Sequence, residues 1–509
     1  MRAWTKYSLQ QAVAQRLRGF KLIVVSNREP YVHEHNNGRI ECIKPASGVV
    51  TAMDPIMRAS GGVWVAHGNG TADRIPVDAR QHVRVPPEAP AYDLRRVWLP
   101  AEVERAHYGL ANEGIWPLCH VAFHRPRFRS RDWESYRRAN ELFAEAVLEE
   151  AGGYPAFVLI QDYHFGLLPR ILKRANPRLN IAQFWHIPWP HNEVFRTFPW
   201  KQELLEGLLG NDVLGFQLPC HCSNFLETIH CNLEARVDFD RAHVRTGQYD
   251  TAVRAFPISI DFDERARMAY SPEISIAIAE WRAALGHVPN ILGIGIDRID
   301  YTKGIQERLE AVSLLFQEHP EYIGKLTFLQ VGVPSRTAIP DYRQLNSLIW
   351  ERAEQINLRW ACGSWKPIVF LRRHLDQKAL AALHLMADFC IVSPLHDGMN
   401  LVAKEFVASR IDQDGVLILS EFAGAARELT EALIVNPFDT EEIAAAVHRA
   451  ITMPAAERQR RMMRMREAVA VNNVYQWAAN FILALSTIGA SKTSGNRNLE
   501  EQSVDTEVA

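Results

Sequence analysis

Residues 290–336 read NILGIGIDRIDYTKGIQERLEAVSLLFQEHPEYIGKLTFLQVGVPSR. Two apolar runs, NILGIGID and KLTFLQVGV, flank a segment of a different period. In that segment Ile305, Leu309, Val312 and Leu315 fall at i, i+4, i+7 and i+10, one face of a helix. The flanking runs are apolar throughout rather than alternating, so each predicts a strand buried on both faces. A strand, a crossover helix and a second such strand form a parallel pair. The pattern recurs along the chain. KLIVVSN, FVLIQDYH, NIAQFWHIP, DVLGFQ, DFCIVSPL and GVLILSE are apolar runs ending in polar or glycine-containing turns, and segments of helical spacing lie between many of them. Such alternation predicts an α/β chain with parallel sheets covered by helices on both faces.

There are too many runs for one sheet. A break falls near residues 255–268, AFPISIDFDERARM, after which the alternation restarts. The spacing predicts two doubly wound, Rossmann-like domains, residues 20–258 and 259–475. A chain of 509 residues, 47% hydrophobic, is long enough for two or three domains with real cores. Residues 1–19 form a basic N-terminal extension, expected to be a short surface helix. Residues 489–509, polar and rich in Ser and Asn, predict a disordered tail.

Net charge is −2 with both signs interspersed, which is not the footprint of a nucleic-acid binder. No apolar run approaches the ~18 residues of a membrane helix. The N-terminus lacks an apolar core and a cleavage site, so no secretory signal is expected and a cytoplasmic setting is. Seven cysteines, odd in number and mostly in apolar settings such as Cys390, suit a reducing compartment. The cluster Cys220, His221, Cys222, His230, Cys231 lacks zinc-site spacing and predicts a helix with buried thiols; no metal site is expected.

Ligands of open parallel sheets bind beyond the carboxyl ends of the strands. The residues found there are Arg28, Asp162, His186, Arg298, Lys303, Arg336 and Asp397. Four are cations, Arg28, Arg298, Lys303 and Arg336, suited to phosphate oxygens. In SPLHDGMNLVAKEF, residues 393–406, a helix starting near Asn400 aims free amides and the positive end of its dipole out of the turn, which holds a phosphate. Gly398 permits close backbone approach. Glu405, one turn further in, can accept two hydrogen bonds from a diol such as ribose. The pattern suits a nucleoside diphosphate with its sugar; a plain turn with a solvated Glu405 is the competing reading.

The motifs VVSNR, QDYH, FWHIPWP, DRIDYTKG, PSR, DGMNLVAKEFVASR and LSEFAGAARELTEALIVNPFD resemble the trehalose-6-phosphate synthase family of retaining glycosyltransferases, in family order over about residues 20–485. The resemblance implies a GT-B fold, two Rossmann-like domains facing each other across a cleft, the first on the acceptor side and the second on the nucleotide-sugar side. It implies a last helix, residues 476–488, crossing back to the first domain. It implies transfer of glucose from UDP-glucose to glucose 6-phosphate with retention, giving trehalose 6-phosphate. Arg298, Lys303, Asp162 and His186 are then the catalytic set. Arg298, Lys303 and the backbone at Leu401 and Val402 hold the donor diphosphate, within the turn of Gly398, Met399 and Asn400. Glu405 binds ribose, Leu375 lies beside uracil, and Gly48 belongs to a glycine loop over the donor. Asp397 and His186 touch the transferred glucose. Arg28 and Arg336 grip the acceptor phosphate; Asp162, Trp116 and Tyr108 line its sugar. No metal or other cofactor is implied, the cations taking that role.

Ser47, His67, His396, Trp189 and Trp200 depart from the family pattern, and Ser47 and His67 bear on the acceptor. Another phosphorylated acceptor, such as glycerol 3-phosphate, therefore stays open, as does a non-catalytic sugar-phosphate sensor. The expected partners are small-molecule substrates, with no nucleic acid and no membrane. A separate phosphatase is expected downstream, and oligomeric state stays open, a homo-oligomer included.

Overall fold

The fold is a computed structural model that describes residues 3–17, 19–45, 48–286 and 289–487. The expected tail 489–509 and the residue Ser47 lie outside these. Contacts divide the chain into two units, one built on Ser259–Val474 and the other on Trp4–Ile258 together with the residues from Tyr475 on.

In the Ser259–Val474 unit the two runs of the opening stretch are the strands Ile291–Arg298 and Leu326–Val333, parallel and in register along their length. The helix between them is Ile305–Glu318, and all four residues of its expected stripe are buried. Burying a leucine or isoleucine fully is worth about 1.5–3 kcal/mol, so that stripe alone orients the helix. The sheet has six strands, all parallel to their neighbours. Their order is Ile368–Leu371, Leu326–Val333, Ile291–Arg298, Phe389–Val392, Val416–Ser420, Leu433–Val435. The chain winds outward from Ile291–Arg298 in one direction, then returns to its other side at Phe389–Val392. The crevice between those two strands is the topological switch point of a doubly wound sheet.

The other unit carries ten strands in one sheet. Its parallel centre runs Asp250–Ala255, Val213–Phe216, Asn180–Phe184, Ala156–Gln161, Lys21–Arg28, Val63–His67, Tyr92–Val97. Antiparallel strands close both edges: His82–Val85 beside Tyr92–Val97, and Arg236–Asp238 with His243–Arg245 beside Asp250–Ala255. Apolar-run reading misses these edge strands, which are short and only partly buried. The winding reverses between Lys21–Arg28 and Ala156–Gln161, so Arg28 and Asp162 flank this unit's switch point.

Near the N-terminus, Lys6–Arg16 is a helix opened by a Thr5–Ser8 capping box, with Leu9 and Val13 buried. A final helix over residues 474–487 belongs to the same unit from Tyr475 on. There Trp477 donates its indole N–H to Phe256 O at 3.2 Å, and Phe481 packs on Phe184 and Phe256. The cysteine expectation needs correcting. Four of the seven, Cys42, Cys220, Cys231 and Cys362, are exposed, and in the helix Pro219–Asn232 only Cys222 is buried. Apolar neighbours in sequence occupy the opposite face of the helix. Among the described residues no helix is long and apolar enough to cross a membrane.

Candidate functional site

The switch point of the Ser259–Val474 unit gathers the residues singled out there. Arg298 ends its strand, and Asp300 then caps a short turn by accepting from Thr302 N at 3.1 Å. Lys303 closes that turn. Gly304 follows at φ +60, where a Cβ would stand 2.1 Å from Ser393 O. Glycine is required by both conformation and space, and it lets the next helix start directly under the neighbouring strand end. Lys303 Nζ lies 2.5 Å from Asp397 Oδ2, which also accepts from Asn400 Nδ2 at 3.2 Å. Asn400 caps the helix Leu401–Ser409 through Ala403 N, at 3.3 Å. The cap engages the third amide and leaves those of Leu401 and Val402 directed out of the helix end. Behind the turn, a Cβ on Gly424 would meet Gly398 O at 2.1 Å, so glycine at 424 lets the two loops pass in contact.

Two arginines hold this arrangement from inside. Arg308 is fully buried. It donates to Asp297 Oδ2 at 2.7 Å, Gln330 Oε1 and Ser393 Oγ at 3.0 Å, and the carbonyl of Lys303 at 3.2 Å. One guanidinium thereby joins residues of two strands and the end of a third to the lysine turn. Arg336 donates to Asp300 Oδ2 at 2.5 Å and to Tyr342 Oη at 2.7 Å. Burial works against the Asp300 carboxylate, but Arg336, Arg298 and Lys303 outweigh it and hold its pKa below the ordinary value. For Asp297 burial prevails over Arg308 and Lys303, and its pKa is raised. Glu405 is half-buried and paired with Arg265 at 2.8 Å. Leu375 is buried in the loop preceding the helix Gln377–Met386.

The Trp4–Ile258 unit holds the remaining candidates. Arg28 is exposed at its strand end, where a bulge follows Ser26. Ser26 Oγ donates to Arg28 O at 2.5 Å and accepts from Trp64 Nε1 at 2.8 Å. Asp162 has φ +73, a strained conformation for a non-glycine residue. Its Oδ1 accepts from Tyr163 N at 3.0 Å and His186 N at 3.3 Å. Arg336 and Asn400 share the positive φ, so three candidates carry backbone strain. The His186 ring faces Gln161 Oε1 through Nε2 at 2.8 Å. Burial pushes its pKa down to about 3, so the ring is neutral, with Nδ1 left to accept. Tyr108 and Trp116 flank a π-helical turn, Leu110–Ile115, an irregularity frequent at functional sites. Trp116 packs against His120, with ring centroids 4.0 Å apart and planes tilted by 32°. Gly48 opens the helix Gly48–Ser60. His67 is buried with Nδ1 3.1 Å from Val97 O.

Directly behind Arg28 lies a buried group. Arg96 donates to Glu29 at 2.8 Å and Asp73 at 2.7 Å. Burial, reinforced by Asp73, lifts the Glu29 pKa to about 9. That is above its unfolded value, so folding retains a proton and stability falls as pH rises from about 4.5 to about 9. Glu29→Gln removes this slope. Denaturant melts at pH 6 and pH 9 are expected to show wild type losing stability relative to the variant; parallel losses would reject a protonated Glu29.

Among the described residues one grouping could offer three metal ligands, His319, Glu321 and His448. Its imidazoles stack at 3.8 Å and 6°, so their lone pairs lie in parallel planes and do not converge on one ion. Sequence reasoning missed Arg308, Arg265 and the Asp300–Arg336 pair, whose partners are distant in the chain.

Two α/β units, one of them a six-stranded doubly wound sheet with cations and a helix start at its switch point, place the chain in the GT-B class of glycosyltransferase. The model of Glycosyltransferase family 20 matches residues 20–487. The chain belongs to that family. A bifunctional trehalose-6-phosphate synthase/phosphatase of Thermoproteus tenax is 36% identical over 500 residues, covering 95% of this chain, which spans 66% of that longer relative. A solved E. coli trehalose-6-phosphate protein bound with UDP-2-fluoro glucose is 31% identical at TM-score 0.81, covering 92% of this chain and 99% of that one. A solved UDP-forming alpha,alpha-trehalose-phosphate synthase of Burkholderia xenovorans, in complex with glucose-6-phosphate, is 31% identical at TM-score 0.82, covering 91% and 99%.

Proposed function

We propose that this chain transfers glucose from UDP-glucose to the 1-hydroxyl of glucose 6-phosphate with retention, yielding alpha,alpha-trehalose 6-phosphate and UDP. The observation that carries it is the convergence of Arg298, Lys303 and the Leu401–Ser409 helix start at one switch point. The solved relatives holding a UDP-sugar analogue and glucose-6-phosphate support the two substrates.

Arg298, Lys303 and the amides of Leu401 and Val402 hold the diphosphate, with Gly398, Met399 and Asn400 shaping the turn. Glu405 takes the ribose, Leu375 lies beside the base, and Gly48 belongs to the loop over the donor. Asp397 and the neutral His186 contact glucose hydroxyls. Arg28 and Arg336 bind the acceptor phosphate; Asp162, Trp116 and Tyr108 bind its ring. The bond from C1 to the departing phosphate oxygen breaks while the acceptor oxygen attacks the same face, and the acceptor proton passes to that phosphate oxygen. Most of the rate enhancement comes from positioning and from stabilising the departing diphosphate. No carboxylate is needed as a nucleophile, and the cations take the part a metal would play. The product keeps its phosphate, so a phosphatase must act to release the free sugar.

UDP release is measured with glucose 6-phosphate, with glycerol 3-phosphate and with no acceptor, each with and without EDTA. Release with glucose 6-phosphate alone, undiminished by EDTA, is the expected result. Release with glycerol 3-phosphate alone would overturn the acceptor assignment, and release with neither would overturn the activity. Loss on chelation would overturn the metal-free reading.

A further inference from the structure

The carboxylate assigned to ribose does not stand alone. Arg265 lies in the helix Phe262–Ala269, opened by the Asp261 cap, and its guanidinium is buried. Its Nη2 donates to Glu405 Oε1 at 2.8 Å, and its Nη1 donates to Gln377 Oε1. Gln377 is the first residue of the helix Gln377–Met386, two positions after Leu375. One rigid fork therefore spans the carboxylate and the loop assigned to the base.

An unsupported glutamate has three rotatable bonds and two equivalent oxygens. The arginine engages Oε1 and leaves Oε2 to accept from a hydroxyl. We propose that Arg265 is the positioning residue of Glu405, setting the ribose-binding oxygen in register with the base subsite through Gln377. This rests on the reading of Glu405 as the ribose ligand.

The test compares UDP with 2′-deoxy-UDP by calorimetric titration of the full chain. Loss of a hydroxyl that bonds a held carboxylate is expected to weaken wild-type binding on the order of 10–100-fold. In Arg265→Gln that ratio is expected to collapse to about threefold or less, because the carboxylate no longer holds its place. Binding of 2′-deoxy-UDP is expected to stay within about twofold of wild type, whereas general damage would weaken both ligands. Arg265→Lys retains a cation without the fork and is expected to fall between. The KM for UDP-glucose is expected to rise with kcat nearly unchanged, since ribose is held equally in ground and transition states. Gln377 is exposed at a helix start, so Gln377→Ala tolerates folding and must also lower the ratio. A wild-type ratio preserved in both Arg265→Gln and Gln377→Ala overturns the role of Arg265 alone. A wild-type protein that does not distinguish the two nucleotides overturns the ribose assignment and this proposal with it.

Discussion

Arg298→Ala is expected to lower turnover of UDP-glucose by about two to three orders of magnitude while leaving the fold intact. The magnitude follows from losing one preorganised donor to charge that develops in the transition state, about 10²–10³-fold in kcat. The fold survives because Arg298 is the last residue of its strand, paired with Val333 at the end of the ladder, and the substitution leaves that backbone pairing in place. Asp300, which Arg298 helps to ionise, keeps Arg336 as its direct partner at 2.5 Å. Steady-state kinetics with a parallel thermal melt check this. Near-normal turnover in a normally melting variant would remove Arg298 from the donor site.

Arg308→Met is expected to act through stability first. The guanidinium is wholly buried and bonded to Asp297, Gln330, Ser393 and the Lys303 carbonyl. Removing it leaves the Asp297 carboxylate buried beside an apolar chain, an uncompensated charge costing about 3–5 kcal/mol. For a unit of this size the melting temperature should fall by roughly 10 °C. Turnover should fall as well, because the lysine turn loses a hydrogen bond that fixes it. Burial already raises the Asp297 pKa, and without Arg308 the rise is larger. The folded variant then binds a proton more readily than the unfolded chain, so its stability deficit shrinks as pH is lowered. Calorimetry at pH 5 and pH 8 reads both effects. A melting temperature within about 2 °C of wild type would show that the buried network is not holding the unit together.

Much of the candidate site is legible from local pattern. Arg298 ends an apolar strand, Lys303, Asp162 and Asp397 each follow one within a few residues, and parallel strands bring their carboxyl ends to one edge of their own sheet. The helix start at Asn400 is marked by a capping residue, and the wound sheet places it at the switch point. Other features are hidden. In QERLE, Arg308 stands between Glu307 and Leu309 and looks like a solvated side chain, yet it is buried. The partners that satisfy it, Gln330 and Ser393, lie 22 and 85 residues away. Arg265 and Glu405 are 140 residues apart. The left-handed conformations of Asp162, Arg336 and Asn400 carry no composition signal, because non-glycine residues hold them only under constraint from surrounding structure.

The sequence by itself determined the α/β class, the switch from strand to helix period and which polar residues end the strands. Those follow from periodicity and from the strand's direction, both local properties of the chain. Only the tertiary structure decided which charges are buried and who neutralises them: Arg308 against Asp297, Arg336 against Asp300, Arg265 against Glu405. A buried charge is stable only with a partner at bonding distance, and that distance is set by how the elements pack, whatever their separation along the chain.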